Sequence, residues 1–396
     1  MGIVTIYPPP LLVHSRQGGV ASYSKNLVSS LMKYCSVTVF AEKLSTSEGR
    51  HHEAESIHRC WTKGIKYPFQ IFKTILKNEV DVFHIQYETY LFGGLASGLI
   101  FPLLVALIGL LRKPVIVTMH GVIPLSRLNS SFLRENRIPG NTLIMRIGLT
   151  FLVRLIVFLS TAVIVHEENL SDILKKEYNI DASKINVINH GVEEPKVMIN
   201  SNEAKEKLGV HSKKVILFLG YITGYKNLGL LIDSAKFLKV DNWVILIAGG
   251  MHPRLMSDIN YVKYVSELRK RAMKISEQNI LFKGFVPEEE LSSYLSAADL
   301  VVFPYNICIS SSGPLSIAAS YEKPFLVTNS FREIISLDEL RFINEPEKLA
   351  AKINCFFDDP RLRLRILEWV QKFKMKRSWT KIAEKTYLLY KKLAAT

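Results

Sequence analysis

Cysteine is scarce in this 396-residue chain: Cys35, Cys60, Cys308 and Cys355 are the only four, and their spacing fits neither a metal cage nor a disulfide framework. Such sparse use of cysteine suits a reduced, cytoplasmic compartment. No Asp-x-Asp pair and no His/Cys cluster at ligand spacing occurs. A bridging metal is therefore not expected, and positive charge for any bound phosphate has to come from the protein. The GxGxxG fingerprint and the GxxxxGK[ST] loop are both missing, which disfavours nicotinamide-dependent oxidoreduction and P-loop phosphate chemistry. Glycine (21) and proline (16) are too few, and apolar residues (48%) too many, for a collagen-like or disordered chain. The first apolar run, Gly2–Tyr7, is preceded by no basic stretch and followed by no small-residue cleavage site, so no secretory leader is expected.

What is present begins with charge. There are 51 Lys and Arg against 36 Asp and Glu, a net +15. Eleven of those cations fall between Arg361 and Thr396, against only Glu368 and Glu384. A surface of this kind attracts phosphorylated small molecules or anionic lipid. Nucleic acid is not expected, because no nucleic-acid-binding motif accompanies the basic stretch.

Short Val- and Ile-rich runs alternate with longer segments of helical period, the pattern of βα units that build a parallel sheet covered on both faces. Two such series occur. One holds Gly2–Tyr7, Ser36–Ala41, Val80–Gln86, Val115–Met119, Ala162–His166 and Lys184–Ile188; the other holds Lys214–Gly220, Trp243–Ala248, Ile280–Lys283, Leu300–Pro304 and Phe325–Thr328, with helices over Pro346–Leu393. The polar stretch Gly191–Lys213 reads as the connection. Two doubly wound domains follow, spanning 1–194 and 195–375, with residues 376–396 as a final helix. In such folds a ligand is expected beyond the carboxyl ends of the strands.

Two apolar stretches raise the question of a membrane. Tyr90–Leu111 carries no charge and is bounded by Arg112 and Lys113, but glycines and Pro102 interrupt it between two strands of one sheet. It reads as a buried core helix, ahead of an interfacial helix or a span. Thr142–Leu159, interrupted by Arg146 and Arg154, suits a helix lying flat on protein or lipid.

Candidate chemistry lies at the ends of the strands. Gly18 and Gly19 open a helix, where backbone N–H groups can approach a phosphate or sugar. His120 follows Val115–Met119. Tyr221, Thr223 and Lys226 lie between a buried strand and the next helix, and a lysine at such a helix start suits a diphosphate. Ser310, Ser311, Ser312, Gly313, Pro314 and Leu315 begin another helix, whose first-turn N–H groups form an anion or sugar-hydroxyl site.

In this order, Gly18-Gly19, His120-Gly121, VINHGVE (187–193), FLGYITGYKN (218–227), FKGFVPEEELSSYLSAADLVVFP (282–304) and SGPLSIAASYEKPFLVTN (312–329) resemble a retaining glycosyltransferase of family 4 over essentially the whole chain. The resemblance implies the GT-B fold: two facing Rossmann-like doubly wound domains, with the C-terminal helix crossing back to the first. It implies that the Gly19 backbone approaches the donor diphosphate, that His120 contacts the donor sugar and that Lys226 neutralises the diphosphate. Gly284 and Val286 would flank the base, and Ser312–Leu315 would present a helix start. His120 and Lys226 would be the catalytic pair, no cofactor would be needed beyond the nucleoside diphosphate sugar, and the acceptor would be a glycan or lipid-linked saccharide. Many relatives carry an arginine after the glycine equivalent to Gly220, and two glutamates eight positions apart; here those places hold Tyr221, Ile309 and Ile317. The competing reading is a non-catalytic, glycosyltransferase-like binding subunit.

Overall fold

The computed structural model describes residues 1–8, 18–44, 56–130, 133, 140–195, 197–307 and 312–395. The chain divides into two compact units. One comprises Met1–Gly191 with Trp379–Thr396, the other Val192–Cys308 with Ser312–Ser378.

The first unit holds a seven-stranded sheet of β1 (Gly2–Thr5), β2 (Thr38–Glu42), β3 (Ile57–Trp61), β4 (Phe83–Tyr87), β5 (Val115–Met119), β6 (Ala162–Val165) and β7 (Ile185–Val187), ordered β3-β2-β1-β4-β5-β6-β7 with parallel pairing throughout. Its central strands are buried on both faces, which is why they read as near-continuous apolar runs. The second unit holds six parallel strands: β8 (Lys214–Leu219), β9 (Trp243–Ala248), β10 (Ile280–Phe282), β11 (Leu300–Phe303), β12 (Phe325–Thr328) and β13 (Arg341–Phe342), ordered β10-β9-β8-β11-β12-β13. Each sheet reverses its winding once, between β1 and β4 and between β8 and β11. Side chains just beyond those strands are the ones a doubly wound sheet offers to a ligand.

The expected strands form, with bounds identical at β5, β9 and β12, but β3 and β13 are additional. The polar connection Gly191–Lys213 also contains a helix, Ser201–Lys207, capped by the Asn200 side chain on Asn202 N–H. Tyr90–Leu111 is not one helix. It breaks at Ile100 into Leu95–Leu99 and Phe101–Gly109, with Pro102 in the first turn of the second piece, which buries Phe101, Leu104, Val105 and Ile108. The helix Thr142–Leu159 forms over its whole expected length, with Asn141 capping Leu143 N–H. It is long and apolar enough to cross a membrane, yet Val153, Ile156 and Val157 are packed into the unit's core.

The final helix, Trp379–Ala394, belongs to the first unit. It packs on the helix Gly18–Leu31 through Ile382, Ala383, Leu389 and Tyr390 against Tyr23, Leu27 and Leu31, with Tyr34 stacked on Tyr387 at 5.5 Å. Gly191 makes room for its first residue: a Cβ there would lie 2.4 Å from the Trp379 ring. Just before it, in the second unit, Val192 N–H donates to Arg377 C=O at 2.8 Å, and Lys374 pairs with Glu194 at 3.2 Å and Glu322 at 3.1 Å.

Candidate functional site

In the second unit, the turn after β8 brings together residues that are separate in the sequence. Gly220, at φ +113°, has the backbone geometry glycine favours. A Cβ on it would lie 2.7 Å from Lys226 Nζ and 3.2 Å from Pro314 Cγ. Lys226 and the helix start Gly313–Ser320 therefore converge on one point beside the β8/β11 reversal. The lysine loop is pinned from several sides. Asn306 N–H donates to Tyr225 C=O (2.8 Å), and Asn227 and Asn344 both donate to Asn306 Oδ1 (2.9 and 3.1 Å).

Lys226 is only 7% exposed, and among the described residues no carboxylate pairs with it. Its neighbours are aromatic, with the Tyr305 and Tyr225 ring centroids 5.6 and 6.0 Å from Nζ. Burial pulls its amine down from 10.5 to about 8. Thr223, 8% exposed, has a buried hydroxyl with no hydrogen-bond partner among the described residues. Two buried polar groups lacking counterparts are costly unless a ligand completes them, and an oxyanion would complete both.

The helix start is less open than expected. Ser312 accepts from Leu315 N–H at 3.4 Å, Ser316 N–H bonds back to Ser312 C=O at 3.0 Å, and Pro314 has no N–H. Among the described residues this leaves the Gly313 N–H as the free donor of the first turn, instead of several. Ser310 and Ser311 lie outside the described residues.

Gly284, at φ +74°, and the buried Val286 follow β10 at the same strand ends. Between them Phe285, 64% exposed, lies parallel to Tyr221 (centroids 6.1 Å apart, 17° between planes), and His252 lies 5.3 Å from Tyr221. This aromatic face can stack a planar base, and sequence reasoning missed its outer members, Phe285 and His252. Gly249 and Gly250 were missed too. A Cβ on the first would meet Gly220 O at 2.2 Å and one on the second Phe285 Cβ at 2.9 Å, so both glycines permit the close approach of these turns.

In the first unit, Gly18 and Gly19 open the helix Gly18–Leu31 as expected, and among the described residues nothing lies within 4 Å of a Cβ placed on Gly19. His120 lies at the end of β5, its N–H bonded to Tyr87 C=O at 3.0 Å. Its ring belongs to a chain of polar contacts: His166 Nε2 to His120 Nδ1 (3.3 Å), His120 Nε2 to Gln86 Oε1 (2.9 Å), Gln86 Nε2 to His84 Nε2 (3.1 Å) and His84 Nδ1 to Tyr390 Oη (2.6 Å). Tyr23 meets the His120 ring edge-on at 4.7 Å. Burial, then the nearby histidines, holds the His120 ring well below the usual imidazole range, and burial draws His84 to about 3.

Comparison with known proteins gives the family of the chain. Residues 17–194 match Glycosyltransferase Family 4 and residues 200–373 match Glycosyl transferases group 1. Together these matches take in most of the chain, which belongs to the family 4-like, group 1 glycosyltransferases. The Bacillus subtilis (strain 168) protein YtcC, a candidate glycosyltransferase, is 28% identical over 171 residues; the match spans 40% of this chain and 40% of YtcC. Among solved structures, the sucrose-phosphate synthase of Thermosynechococcus elongatus superposes with a TM-score of 0.75 at 15% identity, covering 100% of this chain and 98% of the other. Anabaena HepE, solved with UDP and glucose, gives 0.71 at 15% identity over 99% and 100% of the two chains. At such identities the likeness establishes the fold, which is GT-B.

Proposed function

We propose that this protein transfers a hexose from a nucleoside diphosphate sugar to a saccharide or lipid-linked acceptor hydroxyl, with retention at the anomeric carbon. The observation that carries the proposal is the pair Lys226 and Thr223 at the winding reversal of the second sheet, both buried, the amine with no carboxylate and the hydroxyl with no hydrogen-bond partner among the described residues. Breaking the sugar–phosphate bond puts negative charge on the departing diphosphate, and a preorganised cation with N–H and O–H donors in a dry site stabilises that charge. Lys226 Nζ, Thr223 Oγ1 and Gly313 N–H supply it, and the Tyr221–Phe285 face takes the base. His120 meets the donor sugar. Retention follows if the acceptor attacks from the side the diphosphate leaves, its proton passing to a phosphate oxygen, so that no separate general base is needed. The solution of HepE with UDP and glucose supports the choice of a uridine donor as the first to test.

The test is calorimetry with UDP-, GDP- and ADP-hexoses, followed by transfer assays with whichever binds. A tight donor and turnover with retained configuration are expected, and silence toward every nucleotide sugar overturns the reading. Tyr221 and Ile317, where relatives carry charged groups, favour a second reading as a binding subunit; binding with no transfer to any lipid-linked or free saccharide would select it. Donor affinity should also depend on pH. The free amine titrates near 8 and a bound diphosphate raises that value, so affinity is full below pH 8 and falls about tenfold per unit above it. A flat profile from pH 7 to 10 would show that the ammonium is not used.

The acceptor side of the proposal is a peripheral contact with anionic membrane, at the inner face of the cytoplasmic membrane. On the helix Thr142–Leu159, Ile144, Ile147, Phe151 and Phe158 are exposed in one succession, and on the helix Phe101–Gly109 beside it Leu103 is exposed, with Leu99 exposed before that helix and Leu110 after it, next to Arg112 and Lys113. An apolar face rimmed by cations on a protein of charge +15 complements anionic lipid. Ile144→Asp with Phe151→Asp, both residues being 68% exposed, should cut sedimentation with phosphatidylglycerol vesicles about tenfold or more without altering donor binding. Wild-type protein that ignores such vesicles at low salt would remove this part of the proposal.

A further inference from the structure

The second unit holds a cavity of about 580 Å³ at the end of its sheet away from Lys226. Lys214 opens β8, Asp299 precedes β11 and Lys323 precedes β12, so the cavity lies at the amino ends of three adjacent strands, whereas the Lys226 loop follows the carboxyl end of β8. The remaining walls come from helices: Lys205 on Ser201–Lys207, Phe356 and Phe357 on Pro346–Asp358, and Arg363 on Pro360–Lys376. Its size falls within the range of about 300–1,000 Å³ usual for small-molecule sites.

Charge at this cavity is unbalanced. Five lysine and arginine side chains line it against two carboxylates, and both carboxylates are already paired. Asp299 accepts from Lys205 Nζ at 2.8 Å and from Val215 N–H at 2.7 Å, and Glu322 accepts from Lys374 Nζ at 3.1 Å. Lys213, Lys214, Lys323 and Arg363 are left, all half-buried, and among the described residues no carboxylate forms an ion pair with any of them. Their contacts are neutral. Lys213 Nζ donates to Asn279 Oδ1 (3.1 Å), Lys323 Nζ to Ser296 C=O (3.0 Å) and Arg363 to the Phe356 and Phe357 carbonyls, while Lys214 Nζ lies 5.6 Å from the Phe357 ring centroid. Burial, reinforced by Lys205 and opposed by Asp299, pulls the Lys323 ammonium below its usual range. Half-buried like charges gathered on one cavity repel one another and are poorly hydrated, and a bound anion relieves both costs.

We propose that this cavity binds a small organic phosphate, as a second ligand site at the opposite end of the sheet from the Lys226 loop. Four cations without carboxylates select a multiply charged anion, and phosphate suits them because its oxygens accept from ammonium and guanidinium groups together. Tyr321, Phe356, Phe357 and Leu367 on the walls take the carbon skeleton, so an organic phosphate fits better than the bare ion. The site does not depend on what the Lys226 loop binds.

The experiment is calorimetry at low salt with phenyl phosphate and with inorganic phosphate, on wild-type protein, on Lys226→Met, and on the double variant Lys213→Gln with Lys214→Gln. Phenyl phosphate should bind wild-type protein more tightly than inorganic phosphate does, and should bind Lys226→Met equally well. Removing the two cations of the double variant should weaken its binding by about tenfold or more. A wild-type crystal soaked with phenyl phosphate answers the same question with no variant, the phosphate being expected among Lys213, Lys214 and Arg363. The inference is overturned if phenyl phosphate does not bind, if the two phosphates bind alike, or if the double variant keeps the wild-type affinity. Binding lost in Lys226→Met, or a soaked phosphate found only at Lys226, would overturn it too.

Discussion

Lys226→Met should make the donor-free protein more stable while weakening donor binding by orders of magnitude. The amine sits 7% exposed with no carboxylate partner among the described residues, and its titration is depressed from 10.5 to about 8 by burial. The unfolded chain therefore binds the proton more tightly than the folded one. The penalty is complete below pH 8, shrinks between pH 8 and 10.5, and is gone above that. Methionine fills the same space without a charge, so at pH 7 the variant should gain about 2–3 kcal/mol, several degrees in Tm, and lose the gain above pH 10.5. Donor affinity and transfer should fall by about two to three orders of magnitude, the cost of removing a charge that acts in a dry site. Thermal melts at pH 7 and 10.5 alongside calorimetry check both halves. A variant that is destabilised at pH 7, or that still binds donor as wild type does, contradicts the assignment. A group retained against the stability of the empty fold is retained for what it binds.

Gly220→Ala should disable the same site without touching any charge. Alanine at φ +113° is strained by about 1–2 kcal/mol, and its Cβ would occupy the space 2.7 Å from Lys226 Nζ. The flexible lysine end is displaced, so the expected result is a folded protein with modestly lower Tm and donor affinity down by about a hundredfold. Gly249→Ala is a contrasting substitution: its Cβ would meet the Gly220 carbonyl oxygen at 2.2 Å, a backbone atom that cannot swing away, and the second unit should lose stability outright. Wild-type donor affinity in Gly220→Ala would show that the lysine is not seated through this glycine.

Much of this was legible in the chain. Parallel strands buried on both faces leave unmistakable apolar runs, so β5, β9 and β12 begin and end as read, and the rule that ligands gather beyond strand ends pointed to Lys226, His120 and the Ser312 turn. Edge strands leave no such run. β3 carries His58 and Arg59 amid half-buried residues, and Arg59 donates to the Tyr7, Glu42 and Pro8 carbonyls at 3.1, 3.0 and 3.1 Å. β13 is two residues long. The histidine string was equally invisible. It depends on register, which sets Gln86 opposite Thr118 and Met119 opposite Val165, and no spacing in the sequence announces that His84, Gln86, His120 and His166 will meet. Phe285 was missed between Gly284 and Val286 because an exposed aromatic after a strand carries no signal until Tyr221 is found parallel to it. The expectation of several free N–H groups at the Gly313–Ser320 helix narrowed because Ser312 and Pro314 themselves account for most of them.

The most direct test of the central claim is a crystal structure of the protein soaked with UDP. The account predicts the diphosphate within hydrogen-bonding distance of Lys226 Nζ, Thr223 Oγ1 and Gly313 N–H, with the uracil ring against Tyr221 and Phe285. A nucleotide bound elsewhere on the second unit, with Lys226 still enclosed by its tyrosines and touching no phosphate oxygen, would contradict it.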